Sequence, residues 1–345
     1  MPVWGKLIMK IGIKMSVAMG GILAGFGLIG LGFANTLTEF YLISIPMGFG
    51  AGCTSLLPVG IMINNWFEKK KGLAMGISFA FSGVGGALFS PILASVIANH
   101  GWRTAYIILG IAFFLFTIPV AFFIRAHPSE EGLSPYGSSS SESEVILTGA
   151  PFNSVIKSKE FFTLVLSIIL INAVGGSLQH LPAHLASAGI PAIKVGSIIS
   201  VVMLILVASK VLFGMSNDKL GEARASAIFI IIFGTGMVMF SMSSNYTMAI
   251  MAAAVTGIGL PICSVLPALL TAKMFGQRDY SRIYSIIGMS TALGTAIGVP
   301  SYGAIFDKTG TYGPAFMGSA VFLVVAIGLI VFGLKRSGRL LTLQV

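Results

Sequence analysis

Charged side chains are scarce in this sequence of 345 residues. Asp, Glu, Lys and Arg together make up 9% of it, and 55% of the residues are hydrophobic. An ordinary water-soluble domain has about 25% charged residues. This small number of charges cannot cover the surface of a soluble protein of this length. The composition therefore excludes a soluble protein and indicates a chain that lies in a lipid bilayer.

Cysteine and the common catalytic motifs are also scarce. The two cysteines, Cys53 and Cys263, lie in apolar runs without the spacing of a zinc site or of a disulfide framework. No G-x-x-x-x-G-K-S/T sequence occurs, and the G-x-G-x-x-G match at 25–30 lies inside an apolar run. Metalloprotease motifs, nucleophile elbows and intramembrane carboxylate pairs are missing too. We therefore expect no enzyme, no cofactor and no metal site.

Long apolar runs fill most of the chain. Each has about the length of a helix that crosses the apolar core of a bilayer, which is roughly 30 Å thick. The runs are apolar on all sides, whereas barrel strands would alternate between apolar and polar residues. The sequence therefore predicts an all-α membrane protein with ten spans, near 15–34, 41–65, 72–98, 104–124, 161–183, 195–217, 225–244, 247–270, 283–305 and 312–334.

Basic residues are distributed unevenly between the predicted loops. Of the 21 lysines and arginines, 17 fall on the side of the N-terminus, three on the other side and one within a span. Loops rich in Lys and Arg face the cytoplasm. We therefore predict that both termini are cytoplasmic, and we expect a multi-pass protein of the plasma membrane. The polar stretch 126–160 is predicted to be a flexible cytoplasmic linker.

A constant offset of 209 residues relates the two parts of the chain. It pairs glycines and prolines, for example Gly12 with Gly221 and Pro58 with Pro267. Such residues set close helix contacts and kinks, so they mark equivalent positions. Because the second copy begins at 161, the first copy is predicted to begin about fifty residues before Met1.

The offset therefore predicts two parallel, pseudo-symmetric bundles of six helices, of which the first two helices are lacking here. The predicted domains are a four-helix N-terminal bundle at 1–125, the linker at 126–160 and a six-helix C-terminal bundle at 161–345.

Several segments resemble the major facilitator superfamily. The segment from Gly214 to Gly221, followed by Arg224, resembles the signature loop between the second and third helices of a half. The segments at 66–67 and 101–103, each containing a tryptophan, resemble the branch of oxalate/formate antiporters and monocarboxylate porters. The resemblance covers essentially the whole chain. It implies a major facilitator fold and a gating role for the signature loop, with the candidate gating residues Gly214, Asp218, Lys219, Gly221 and Arg224.

The same resemblance implies secondary active transport of a small organic anion, a mono- or dicarboxylate, by alternating access. The coupling is antiport or proton symport, with the proton as coupling ion in the second case. The alternative is a membrane sensor or a non-transporting fragment of a transporter. The expected partners are the anion and the lipid bilayer, and we expect a monomer that binds no nucleic acid.

Lys210 is the one charged residue inside a predicted span. A charge near the bilayer centre costs roughly 2.5–3.5 kcal/mol on insertion scales, so such residues are candidates for function. Lys210 either binds a substrate anion in a cavity, or it extends toward the cytoplasmic interface or pairs with a carboxylate. In the resembling branch, a basic residue four positions before the loop glycine is associated with carboxylate substrates, and Lys210 with Gly214 keeps that spacing.

Two other spans have polar stripes, which are unfavourable against lipid. We expect the stripes to face the cavity, although His180 fits helix packing as well and the hydroxyl groups fit bonds to neighbouring helices. The first stripe contains Asn172, Gln179 and His180, and the second contains Tyr284, Thr291 and Thr295. The candidate substrate-binding residues are therefore Lys210, His180, Asn172, Gln179, Tyr284 and Thr291.

Overall fold

The structure is a computed structural model and describes residues 2–138 and 149–342. Within these ranges the regular elements are helices, and nine helical segments are long and apolar enough to cross a membrane. This confirms the prediction of an all-α membrane fold. The nine segments are Trp4–Phe33, Leu37–Trp66, Asn99–Phe123, Lys159–Ser187, Lys194–Leu220, Glu222–Ser241, Tyr246–Phe275, Tyr280–Thr309 and Gly313–Ser337. The predicted span at 72–98 is helical as well, and Gly101, with φ 80° and ψ 164°, interrupts the helix between this span and the next one.

The α-helices follow one another along the chain with short connections. They are α1 (Pro2–Phe33), α2 (Leu37–Cys53), α3 (Leu56–Trp66), α4 (Lys71–Phe123), α5 (Phe152–Val155), α6 (Lys159–Gly176), α7 (Leu181–Ser187), α8 (Ala192–Leu220), α9 (Glu222–Ser241), α10 (Tyr246–Gly259), α11 (Leu266–Phe275), α12 (Tyr280–Thr309) and α13 (Gly313–Thr342). The part of the chain that the structure describes also contains three 3-10 turns, at Pro128–Glu131, Ser177–His180 and Leu260–Cys263.

The packing of the chain divides it into two units. One consists of Met1–Lys69 and Val84–Glu144, and the other of Lys70–Gly83 and Val145–Val345. The beginning of α4 therefore belongs to the second unit. The domain limits at 1–125, 126–160 and 161–345 stay a prediction, and residues 139–148 of the predicted linker lie outside the described residues.

In the first unit, α1 packs against α2. The indole of Trp4 is buried and donates a hydrogen bond to the carbonyl oxygen of Phe49. Thr36 caps α2, because its hydroxyl accepts from the backbone N–H of Glu39 and the Glu39 carboxylate accepts from the backbone of Thr36. The chain after α4 is hydrogen-bonded to the end of α3, since Tyr136 donates its backbone N–H to Trp66 at 2.8 Å.

Two glycines related by the 209-residue offset have the same backbone conformation. Gly12 has φ 83° and ψ 160° within α1, and Gly221 has φ 79° and ψ 160° between α8 and α9. Positive φ is accessible to glycine without strain and disfavours other residues. The two copies thus change direction at equivalent positions, as the offset predicts.

In the second unit, α6 packs between α12 and α13, and α9 packs between α10 and α13. Gly298 of α12 allows the first of these contacts, because a Cβ at this position would overlap the backbone of Ala173 in α6. At the chain ends of this bundle, the Arg336 guanidinium lies 3.2 Å from the buried Glu160 carboxylate. Residues of α6, α8 and α12 line a common cavity in this unit.

Candidate functional site

The ammonium group of Lys210 lies in the second unit and is held by the beginning of α4. The side chain is 5% exposed. Its Nζ donates hydrogen bonds to the carbonyl oxygen of Phe79 at 3.0 Å and to Oγ of Ser82 at 2.8 Å. Two neutral acceptors therefore compensate part of the desolvation of this charge.

Small residues allow α4 to approach α8 closely around Lys210. A Cβ on Gly76 would overlap the carbonyl oxygen of Lys210, and a Cβ on Gly83 would lie 2.6 Å from the side chain of Val207. Near the end of α8, Gly72 and Gly214 face each other with no room for a side chain on either. The close contact explains why a lysine of α8 reaches the backbone of α4.

Lys210 also lines a cavity of about 280 Å³ in the second unit. Among the ten described residues that line it, Lys210 is charged and none is acidic. The other polar groups are two amides, one thiol and two hydroxyls. The lining residues are Asn172, Gly175, Gly176, Gln179, Leu206, Lys210, Leu260, Cys263, Ser264 and Thr295.

Interruptions in two helices shape this cavity. The span that begins with α6 changes to a 3-10 turn at Ser177–His180, and the span that begins with α10 changes to one at Leu260–Cys263. Non-helical backbone at membrane depth is tolerated where it is buried in protein or lines a water-filled cavity. The turns carry Gln179 and Cys263 to the cavity wall, and Gly175 makes room for Cys263, because a Cβ there would lie 2.9 Å from its Sγ.

Three of the six predicted binding residues line this cavity: Lys210, Asn172 and Gln179. Asn172 is 7% exposed, and its amide donates to the carbonyl oxygen of Ile168 at 3.0 Å. Gln179 is exposed. Thr295, from the second predicted stripe, lines the cavity as well.

The other three predicted binding residues lie elsewhere in the second unit. Nε2 of His180 is 2.8 Å from the carbonyl oxygen of Val299, and its ring stacks on Tyr302. Tyr284 is buried against the ring of Tyr280. The hydroxyl of Thr291 donates to the carbonyl oxygen of Gly288 in its own helix at 2.6 Å. Their roles in substrate binding stay predictions.

Cys263 and Ser264 are cavity residues that the sequence did not indicate. Both are small, and small residues inside spans usually serve helix packing. One signal was present, because the 209-residue offset pairs Ser264 with Ser55 next to the paired prolines Pro58 and Pro267. Matched prolines indicate matched helix breaks, where a cavity wall is expected.

The predicted gating residues surround the end of α8. The two carboxylate oxygens of Asp218 accept hydrogen bonds from the backbone N–H groups of Gly72 and Leu73, each at 2.8 Å. A carboxylate at a helix N-terminus satisfies free N–H groups and interacts favourably with the helix dipole. Asp218 thus caps α4, while Lys219 and Arg224 are exposed.

The sequence profile of the Major Facilitator Superfamily matches residues 1–208 and 181–342. Together these matches cover nearly the whole chain. The chain belongs to the Major Facilitator Superfamily. The match confirms the predicted resemblance to this superfamily and the major facilitator fold that the resemblance implied.

Curated relatives of this facilitator are transporters of carboxylates by name. It is 26% identical over 343 residues to monocarboxylate transporter 13 of Rattus norvegicus, and the alignment covers 96% of this chain and 75% of the relative. It is 23% identical over 350 residues to the oxalate:formate antiporter of Oxalobacter formigenes, covering 98% of this chain and 79% of the relative.

Solved structures share the fold of this facilitator. The fucose:proton symporter of E. coli superimposes with a TM-score of 0.73 at 14% identity, covering 96% of this chain and 86% of that one. The human organic anion transporter MFSD10 superimposes with a TM-score of 0.72 at 10% identity, covering 95% of this chain and 79% of that one. With its nine candidate spans among the described residues, this facilitator is a multi-pass membrane protein.

Proposed function

We propose that this facilitator is a secondary active transporter of a small organic anion and that Lys210 binds the carboxylate of the substrate. The observation that carries the proposal is the cavity of about 280 Å³, to which Lys210 contributes a positive charge and none of the described lining residues a negative one. An ammonium group that faces no negative charge among the described lining residues attracts an anion, because the low effective dielectric strengthens the interaction between the charges.

The neutral polar groups of the cavity suit a small carboxylate. The amides of Asn172 and Gln179 and the hydroxyl of Thr295 share the cavity with Lys210. Amide and hydroxyl groups donate hydrogen bonds to oxygen atoms, so they replace water around the oxygens of the anion. The substrate is a mono- or dicarboxylate, the class that the names of the curated relatives describe for those proteins.

The contact of Asp218 with the first turn of α4 supports a gating role. Its carboxylate accepts two backbone hydrogen bonds in the conformation described here. In alternating access such a contact forms in one state and breaks in the other, so it sets the relative stability of the two states. In this proposal Gly214 and Gly221 allow the close approach and the turn, while Lys219 and Arg224 add positive charge on the cytoplasmic side.

The membrane, the oligomeric state and the orientation of the transporter are also proposed. It is proposed to lie in the plasma membrane as a monomer with both termini in the cytoplasm, and the uneven distribution of basic residues supports the position of the termini. Transport is coupled either to a counter-anion or to a proton. The alternative, a sensor or a non-transporting fragment, would bind the anion without moving it across the bilayer.

Uptake into proteoliposomes tests the proposal. Radiolabelled formate, oxalate, lactate and pyruvate are offered to vesicles that contain the protein and are either empty or preloaded with the same anion. We expect uptake of at least one anion, stimulated by preloading if the coupling is antiport and by an imposed pH gradient if it is proton symport.

Two lysine variants of the same helix separate the role of Lys210 from a general effect of charge. Lys210→Gln is expected to lose uptake, whereas Lys194→Gln, which removes an exposed charge from the beginning of the same span, is expected to keep it. Binding of an anion without uptake under any gradient would support the sensor or fragment alternative.

A further inference from the structure

We propose that Ser82 of α4 is a positioning residue for the substrate: it holds the ammonium of Lys210 at the cavity wall with one N–H left for the anion. This inference rests on the proposed function, because it concerns how Lys210 is presented to the carboxylate. Ser82 itself is not among the residues that line the cavity.

The ammonium and two groups of α4 form a closed triangle of hydrogen bonds. Nζ of Lys210 donates to the Phe79 carbonyl oxygen at 3.0 Å and to the Ser82 hydroxyl oxygen at 2.8 Å. The Ser82 hydroxyl donates in turn to the same Phe79 oxygen at 2.7 Å. The orientation of the hydroxyl is therefore defined, because its proton points to Phe79 and a lone pair points to Lys210.

The number of donors on the ammonium group determines what remains for a ligand. A lysine ammonium has three N–H groups and no acceptor. Two of them are directed to Phe79 and Ser82, which leaves one for the cavity that Lys210 lines. The flexible side chain of a lysine loses considerable conformational entropy when it is fixed. The two contacts with α4 fix it before the anion arrives, which lowers the entropic cost of binding.

Ser82 is suited to this role because its side chain is accessible. Ser82 is exposed, whereas Phe79 is fully buried. Because Ser82 is exposed, its hydroxyl fills little of the space between α4 and α8. Removing this hydroxyl should therefore change the position of the ammonium without disrupting the packing of α4 on α8.

Anion binding and uptake by Ser82 variants test the inference. Ser82→Ala is expected to raise the dissociation constant of the best of the four anions by about fivefold to tenfold, because the lysine side chain is then less fixed in advance and anion binding has to immobilise it. The maximal rate should change less than the affinity. Ser82→Thr keeps the hydroxyl and is expected to restore the affinity to within about twofold of the unaltered protein.

A double variant separates this inference from the proposed function. In Lys210→Gln the ammonium is absent, so adding Ser82→Ala is expected to have no further effect on the affinity. If Lys210→Gln alone leaves the affinity unchanged, the proposed function is wrong. If Lys210→Gln weakens binding while Ser82→Ala does not, only the positioning role is wrong.

Ser226→Ala is the matched control. Ser226 is a buried serine of the same unit whose hydroxyl donates to the carbonyl oxygen of Glu222 in its own helix. We expect its anion affinity to equal that of the unaltered protein. Tighter binding in Ser82→Ala would show that Ser82 competes with the substrate for Lys210 and would overturn the inference. The inference would also be overturned if Ser82→Ala weakens anion binding and Ser82→Thr weakens it equally.

Discussion

The contact between Asp218 and α4 predicts a defined effect on the transport rate. Both carboxylate oxygens accept backbone N–H groups, from Gly72 and Leu73, at 2.8 Å. Asp218→Asn keeps one acceptor oxygen, loses the other and removes the negative charge from the N-terminus of the helix. We expect the conformation with this contact to lose stability relative to the one without it.

The magnitude follows from the two terms. A hydrogen bond to a charged group contributes about 1.5–3 kcal/mol, and a charge at an exposed helix terminus contributes about 0.3–1 kcal/mol. Because the Asp218 side chain is exposed, values at the low end apply. A total of about 2 kcal/mol corresponds to roughly a 30-fold shift between the two conformations.

Turnover and affinity are measured separately to test this prediction. We expect Asp218→Asn to slow anion turnover in proteoliposomes by roughly tenfold or more, and to leave the dissociation constant of the anion within about threefold, since Asp218 does not line the cavity. Asp307→Asn, which changes an exposed aspartate near the end of α12, is the control. A large loss of affinity with an unchanged exchange rate would refute the reasoning.

Two further predictions concern orientation and packing. Cysteines placed at Asn99 and Thr311 are expected to react with a membrane-impermeant thiol reagent from outside the cell, and one at Ser140 is not, because basic loops stay cytoplasmic; the opposite labelling pattern would contradict the predicted topology. Gly298→Leu is expected to lower the yield of folded protein and its midpoint of thermal unfolding, because even a Cβ at this position would overlap the backbone of α6. Gly318→Leu is the control, because a Cβ on Gly318 would have no neighbouring atom within 4 Å. Equal losses of yield and thermal stability in both variants would contradict the packing argument.

The spans were predictable because a bilayer imposes a simple requirement on length and polarity. Runs of uncharged residues marked the helices, and matched glycines such as Gly12 and Gly221 marked the equivalent turns. The capping of α4 by Asp218 was harder to predict from the sequence. A loop motif indicates that a carboxylate lies at a helix end, but it does not tell which helix N-terminus that carboxylate reaches.

The candidate site was predictable where a polar group is unusual in its environment. Lys210, Asn172 and Gln179 were conspicuous in apolar spans, and all three line the cavity. Helical periodicity shows which residues share a side of one helix, but not which neighbour that side faces. This is why His180, from the same stripe as Gln179, contacts Val299 and Tyr302 instead of lining this cavity.

Ser82 shows a different limit of prediction from sequence. Serines in membrane helices commonly donate to a carbonyl of their own helix, as Ser82 does to Phe79. Its second contact, with Lys210, depends on how closely α4 approaches α8 at Gly76. That distance is a property of the packed helices, so the local sequence around Ser82 does not contain it.

The most direct test of the account is the anion affinity of Lys210 variants, measured by equilibrium binding of the radiolabelled anion that the unaltered protein transports fastest. Lys210→Gln is expected to weaken binding by about 2–3 kcal/mol, roughly 30-fold to 150-fold, because the charge is lost from a cavity of low effective dielectric. Lys210→Arg should keep part of the affinity, because the charge remains while its geometry changes. Lys210→Leu should bind as weakly as Lys210→Gln. Unchanged affinity in all three variants, with normal insertion of the Leu variant, would contradict the account, because the contacts of Lys210 with α4 would then have a structural role only.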